Sequence, residues 1–354
     1  MIKYYTRACN FYYENQAKSL IKQKLALPLC GINRIAFDSI EIFIRGNKKT
    51  ISKKVSLKKI KFLTAKEQKK IKSDLKKITS KRRNFLSNVR FSQPSIMGIL
   101  NLTPDSFSDG GKFNSSKNSA RQINKLIKSG ANIIDVGGES TRPGSKDIKS
   151  KIEWNRVKNV IKKFKKKYKK ICLSIDTRKS SIMTNSISFG ADLINDVSGY
   201  KYDKSSLSKI EKFKISKVLH HMQGTPKTMQ VKPRYQNVLL DIYDFFEKNI
   251  QSKFKNKQII LDPGIGFGKN LKHNLTLISK ISLFHSLGLP ILIGTSRKRF
   301  IKDISGKYDT KCRTGGTLAS VLFLLSQGVQ VFRVHNVGEI KQGILVFEKL
   351  LFDR

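Results

Sequence analysis

The sequence predicts an α/β protein, a (β/α)8 TIM barrel with a small N-terminal αβ extension, and three observations carry that expectation. Short β-rich apolar runs recur eight times between residues 95 and 335, each closed by polar or glycine residues. Helix-like amphipathic stretches such as SARQINKLIKSG and LLDIYDFFEKNI separate them, and strands alternating with helices imply a parallel sheet covered by helices. Eight such units also match the count of a closed barrel, whose chemistry sits at the C-terminal strand ends. An open doubly wound sheet explains the alternation too, but no GxGxxG opens the first helix, and it gives no reason for hydrogen-bonding residues to end every strand.

In order the runs are SIMGILN (95–101), NIIDVGG (132–138), ICLSIDT (171–177), DLINDVS (192–198), KVLHHMQ (217–223), QIILDPG (258–264), PILIGTS (290–296) and VQVFRVH (329–335). Residues 91–354 are therefore assigned to the barrel and residues 1–90 to the extension. Within the extension RIAFDSIEIFIRG (34–46) alternates like a strand, so residues 1–47 are expected to form a small αβ unit. From Lys48 to Arg90 there are 17 Lys and Arg against two acids, Glu67 and Asp74, which reads as a solvated or loosely packed segment with two short helical stretches.

The chain has 354 residues, 39% of them hydrophobic, enough for a sizeable core. Its 71 Lys and Arg against 25 Asp and Glu give a net charge of +46, an excess found in proteins that attract polyanions. The surplus is spread over nearly every helix and is mostly Lys, which favours a solvated surface over a nucleic-acid groove. Cys9, Cys30, Cys172 and Cys312 are far apart with no CxxC pair, so neither a zinc site nor a disulfide framework is indicated and a reducing compartment is expected. The N-terminus lacks a continuous apolar core, and the apolar run Val321 to Leu325 is too short to span a bilayer, so a cytoplasmic protein is expected.

The strand ends carry Asn101, Asp135, Asp176, Asn195, Met222 with Gln223, Asp262, Ser296 to Lys298, and Arg333 with His335. Any one of the Asp or Asn residues could be a helix cap. Eight strands all ending in hydrogen-bonding side chains are poorly explained by eight independent caps. The set divides chemically: Asp176, Asn195, Asp262 and Lys298 suit a flat, donor-rich heterocycle read along its edge. Asn101, Arg333 and His335 lie on strands one and eight, adjacent in a closed barrel, and suit an anion. Two polar loops, TPDSFSDGG (103–111) with Asp105, Phe107 and Asp109, and GGESTRPGS (137–145) with Thr141, Arg142 and Pro143, read as lids over the rim. DPGIGFGK (262–269) lacks the spacing of a phosphate-binding loop.

In order, MGILNLTPDSFSDGG, DVGGESTRPGS, SIDTRKS, GADLINDVSG, HMQGTPKTMQ, LDPGIGFGK, GTSRK and FRVHNV resemble the motifs of the dihydropteroate synthase family, one per barrel unit over about residues 95 to 350. The resemblance implies condensation of 6-hydroxymethyl-7,8-dihydropterin diphosphate with 4-aminobenzoate, a sulfonamide-sensitive step of folate biosynthesis. Carried over by motif, Asp176, Asn195, Asp262 and Lys298 would hold the pterin edge, with Met222 and Phe267 packing nearby. Asn101 would bind Mg2+ with the diphosphate, and Arg333, His335, Thr141 and Arg142 would hold the anion. Phe107, Pro143, Ser296, Lys298 and Arg299 would surround the aminobenzoate, with Asp109 and Asp105 stabilising the cation and ordering the nucleophile. The family also implies a homodimer. Against its pattern, His220 stands where an apolar residue is usual, Asn336 replaces a common Asp, and Arg299-Phe300 is bulkier than usual.

Two other functions fit part of the same residue pattern. A pterin-binding methyltransferase barrel would share the heterocycle-binding strand ends but has no use for an anion clamp or a TPDSFSDGG lid. A nucleic-acid-binding protein would use the charge and the Lys48–Arg90 segment, and its binding would weaken steeply with salt.

Overall fold

The computed structural model describes residues 2–47, 49–103, 116–142, 144–254, 257–306 and 309–352. Its N-terminal part runs β1 (Lys3–Tyr13), α1 (Glu14–Lys22), β2 (Leu27–Leu29), β3 (Ile32–Arg45), β4 (Thr50–Ser56) and α2 (Ala65–Thr79). β3 is the spine: β1 lies antiparallel along one side, while β2 and β4 share the other.

The stretch from Lys48 to Arg90 is not loosely packed. It supplies β4 and α2, and α2 buries Ile71 and Ile78 and half-buries Leu75, a stripe at i, i+4 and i+7, in the same apolar cluster as β1 and β3. Both acids turn inward: Glu67 closes a capping box with Thr64 and pairs with Lys53 at 2.7 Å, and Asp74 pairs with Lys70 at 2.6 Å. Most of the lysines remain outside, which is why composition made the segment look unstructured.

The second part is the barrel. Its elements are β5 (Ser95–Asn101), α3 (Ser116–Lys128), β6 (Ile133–Gly137), α4 (Ser150–Lys167), β7 (Cys172–Asp176), α5 (Ser180–Ser188), β8 (Leu193–Asp196) and α6 (Ser206–Glu211). They continue with β9 (Ser216–His220), α7 (Val238–Ser252), β10 (Ile259–Asp262), α8 (Leu271–Ser279), β11 (Leu292–Ile293), α9 (Arg299–Ser305), α10 (Thr314–Ser326), β12 (Val331–Val334) and α11 (Val337–Phe352). The parallel sheet runs in the order β10-β9-β8-β7-β6-β5-β12-β11, and a parallel bridge between Leu261 and Ile291 joins its two ends. The closed barrel expected from the eight runs is the observed fold.

Side-chain alternation fixes what fills it. Met97, Ile133, Cys172, Leu193, Val218, Ile260, Leu292 and Val331 form one inward layer near the N-terminal mouth, closed from below by Leu86, Val89 and Phe91 of the segment that leads into β5. Two residues further along the strands the lumen turns polar, with Asp135, Ser174, Asn195, His220, Asp262 and Arg333. The site is thus a polar layer standing on an apolar floor. Among the described residues no helix is long and apolar enough to cross a membrane.

Candidate active site

The centre of the polar layer is an ion-pair and amide network. Arg333 donates from Nε to Asp135 Oδ2 and from Nη2 to Asp176 Oδ2, both at 2.7 Å. Asp135 also accepts from Ser174 Oγ at 2.6 Å and from Asn195 Nδ2 at 3.1 Å. Three adjacent strands, β6, β7 and β8, are thereby tied to β12 through one guanidinium. Burial pushes Asp176 up to about 7 against the pull of Arg333, with Asp135 and Glu153 adding to the rise. Burial also works against the charge of Arg333, yet Asp135 and Asp176 hold it more firmly protonated than usual.

Asp262 ends β10. Its Oδ1 accepts the Gly264 N–H at 2.8 Å, a turn that requires glycine, because Gly264 has φ +68° and a Cβ there would lie 2.0 Å from the His221 carbonyl oxygen. Burial raises the Asp262 carboxyl to about 6, opposed by that N–H and by Lys298. Lys298, in the loop after β11, sits with Nζ 4.0 Å from the Phe267 ring centroid. Burial, then Arg333, lowers its ammonium to about 8, while Asp262 and Asp176 hold it up. Met222, just past β9, is buried. The DPGIGFGK loop is no phosphate cradle: Lys269 is turned inward, donating to the Phe267 carbonyl at 2.9 Å and the His221 carbonyl at 3.3 Å.

On the other flank Ser296 Oγ accepts the His335 backbone N–H at 3.2 Å and lies 2.9 Å from His335 Nδ1. Burial, then Arg297 and Arg333, lowers the imidazole to about 3. The ring is therefore neutral, and because Ser296 Oγ already accepts the backbone N–H we assign its hydroxyl as the donor to Nδ1, with the ring hydrogen on Nε2. Asn336 accepts from Arg297 Nε at 3.1 Å and Nη2 at 2.6 Å. Asn101 ends β5, half-buried at the rim.

Thr141 and Arg142 project from a loop stapled at its stems. Arg178 donates from Nε and Nη2 to Glu139 Oε2 at 3.1 and 2.7 Å and from Nη2 to Asp147 Oδ1 at 3.0 Å. Lys179 bridges Glu139 and Glu153 at 2.8 and 2.6 Å. Arg299 is not brought into the cluster; it opens α9 with its side chain 81% exposed and pairs with Asp303 one turn on. Asp105, Phe107, Asp109 and Pro143 lie outside the described residues.

The structure therefore gathers Asp176, Asn195, Asp262, Lys298, Arg333, His335, Ser296, Met222 and Phe267 at one end of the barrel. Arg333, expected among the anion-holding residues, faces the carboxylates instead, so the two sectors meet at its guanidinium. Asp135 is the member whose part the strand-end reading left blank, although its inward parity on NIIDVGG was visible. Glu139, Arg178 and Lys179 were missed because their partners lie on three different segments.

The pterin binding enzyme family model matches residues 97–335. The dihydropteroate synthase of Escherichia coli K12 is 38% identical over 269 residues, covering 75% of this chain and 94% of that protein. Among solved structures, the Yersinia pestis dihydropteroate synthase in a sulfonamide drug complex superposes with a TM-score of 0.70 at 37% identity, covering 74% of this chain and 96% of that one. The Xanthomonas albilineans dihydropteroate synthase with 4-aminobenzoic acid gives 0.68 at 32%, covering 73% and 94%.

Proposed function

The chain belongs to the pterin-binding enzyme family, and from that premise we propose how its rim divides the work of joining two substrates. It is a transferase that condenses 6-hydroxymethyl-7,8-dihydropterin diphosphate with 4-aminobenzoate, giving 7,8-dihydropteroate and diphosphate in folate biosynthesis. The observation that carries the assignment of roles is the convergence of Asp176, Asn195, Asp262, Lys298 and Arg333 in one polar layer.

Asp262 holds the edge of the heterocycle, because Gly264 occupies Oδ1 and leaves Oδ2 to accept ring and exocyclic N–H groups. Asn195, whose Nδ2 is committed to Asp135, offers its amide oxygen to the same ring. Lys298 supplies an N–H to a ring acceptor and stacks on Phe267, with Met222 as an apolar wall. Asp176, sharing Arg333 with Asp135, stands next to the ring, where the carboxylates can compensate positive charge that develops when the methylene–oxygen bond breaks.

The leaving group needs donors that do not compete for the arylamine. His335 provides one: kept neutral by burial and by Arg297 and Arg333, it presents Nε2–H to the diphosphate and cannot protonate the nucleophile. Arg142, exposed on the stapled loop, brings mobile positive charge, with Thr141 beside it. The arylamine is neutral at working pH, so no general base is demanded. Asp109, Asp105, Phe107 and Pro143 are assigned by family motif to the aminobenzoate side, with Ser296 and Arg299, and a sulfonamide would compete there.

Among the described residues no cluster of three or more His, Cys, Asp or Glu could cage a metal. The donors present fit Mg2+ nonetheless, since that ion keeps several waters and is commonly bound by one or two protein oxygens plus substrate phosphates. Asn101 is the residue that would hold it, and bound there it would offset diphosphate charge as bond cleavage proceeds.

We also infer a homodimer. Leu271, Leu275, Ile278 and Phe323 line a groove between α8 and α10, with Leu275 and Phe323 well exposed, and Leu345, Val346 and Leu350 of α11 are exposed on the adjoining helix. Sedimentation of the wild type and of Phe323→Asp tests it. Four free thiols support a reducing, cytoplasmic setting.

A diphosphate-release assay with each substrate omitted in turn tests the whole assignment. Release is expected only with both substrates and Mg2+; release independent of 4-aminobenzoate would overturn it.

A further inference from the structure

One inward-facing group has no part in the scheme above. His220 ends β9 two residues after Val218, a member of the apolar floor, so its ring projects into the lumen rather than toward the helices. Its register partner on β10 is Asp262. Nε2 stands 3.8 Å from Asp262 Oδ2, and the ring meets Phe267 edge to face with centroids 4.7 Å apart. The side chain is 3% exposed, and among the described residues Nδ1 has no hydrogen-bond partner.

Asp262 needs a second support. Gly264 fixes Oδ1, but a carboxylate held by one oxygen still turns about its own bond, and Oδ2 is the oxygen left to meet the heterocycle. His220 is the polar side chain standing beside it. On the synthase reading given above, we propose that His220 is a positioning residue for the Asp262 carboxylate, and through it sets how tightly the dihydropterin ring is held.

The surroundings fix the state of the ring. Asp262 faces it from β10, Phe267 and Lys269 from the loop beyond, Lys298 from the loop after β11, Arg333 from β12, and His221 is its neighbour in the chain. Burial, reinforced by Lys269 and Lys298, keeps His220 neutral, its pKa well below the usual histidine range. A neutral imidazole has one N–H, and with it on Nε2 the ring is a donor to Oδ2 and Nδ1 is a bare lone pair. At 3.8 Å the contact is longer than a hydrogen bond, as such contacts often are before substrate binds, and it closes in the complex. Lys269 is no substitute, because its Nζ is tied to the Phe267 and His221 carbonyls.

The test compares wild type, His220→Met and His220→Gln in the full chain, measuring kcat, KM for each substrate and the pH dependence of kcat/KM. His220→Met keeps an apolar filler of similar reach and is expected to raise KM for the pterin diphosphate about three- to tenfold, the worth of one hydrogen bond. KM for 4-aminobenzoate should be unchanged, and the acid limb should move to higher pH, because Asp262 loses a donor that favours its ionised form. His220→Gln, which restores an N–H, should recover most of both effects. The inference is overturned if His220→Met keeps the wild-type KM and acid limb, or if Met and Gln are impaired alike, as simple packing would require. A wild type that releases no diphosphate would overturn the synthase reading itself, and this positioning role with it.

Discussion

Arg333 Nη2 lies 2.7 Å from Asp176 Oδ2, an ion pair between two strands that are not neighbours in the barrel. With Nε on Asp135 as well, the guanidinium is the only link of this kind described across the lumen. Arg333→Ala is expected to lower kcat/KM by at least about tenfold, ~1.4 kcal/mol of transition-state stabilisation. It should also lower Tm at pH 8, because two buried carboxylates lose their partner, and less at pH 5, where Asp176, already raised by burial, takes up a proton instead. Steady-state kinetics and melting curves at the two pH values check both halves.

Among the described residues Lys298 has no such partner; its ammonium rests on the Phe267 ring and on the field of Asp262 and Asp176. Lys298→Ala should cost at least about tenfold in kcat/KM, while Lys298→Ala and Asp262→Ala combined should cost less than the product of the single effects, since both touch one ring. Strict additivity in that cycle would remove the shared site.

The pH profile follows from the shifts in the pocket. Asp262 titrates near 6 and Asp176 near 7, both raised by burial, and Lys298 near 8, lowered by burial. The ring-binding state needs Asp262 ionised and Lys298 protonated. kcat/KM is therefore expected to rise through about pH 6 to 7 and fall above about pH 8, a narrow bell with its top in the neutral range. A plateau running from pH 5 to pH 10 would show that these groups do not govern binding.

How much of this was legible in the sequence differs by residue. Asp135, Asn195, Asp262 and Arg333 each follow an inward apolar residue by two, and Asp176 follows Cys172 by four, so their convergence could be read from strand parity once a barrel was inferred. Which of them Arg333 would choose could not, because that depends on how the strands tilt as the sheet closes. Leu86, Val89 and Phe91, the plug of the N-terminal mouth, sit in irregular chain with no periodicity to betray them. In α2 the stripe of Ile71, Leu75 and Ile78 was present in the sequence, yet the lysine count outweighed it.

The pocket holds charges that the fold alone does not favour. The folded pKa of Asp262 is raised above its unfolded value, so its contribution to stability is complete below about pH 4 and is lost as pH climbs through about 6. Asp262→Asn, which keeps an oxygen for the Gly264 N–H, is expected to melt several degrees above wild type at pH 8, to gain nothing at pH 4, and to lose most activity. Equal melting shifts at both pH values would mean that the carboxylate charge is not the cause.

The loop bearing Thr141 and Arg142 poses the remaining question of how a mobile-looking polar segment is held over the rim. Its stems are drawn together at Glu139, which takes Arg178 on Oε2, and Lys179 and the Ile148 N–H on Oε1, while Arg178 also reaches Asp147 and lies 4.1 Å over the Tyr202 ring. Removing Arg178 leaves Glu139 still paired with Lys179, so the loss should fall on the loop more than on the barrel. Arg178→Ala is therefore expected to speed hydrogen exchange across residues 138–148 and to raise KM for the pterin diphosphate several-fold, with a smaller change in kcat. Arg178→Lys should recover little, because a point charge cannot bridge Glu139 and Asp147 as the guanidinium fork does. Unchanged exchange in that segment would show that the loop is held by something other than this staple.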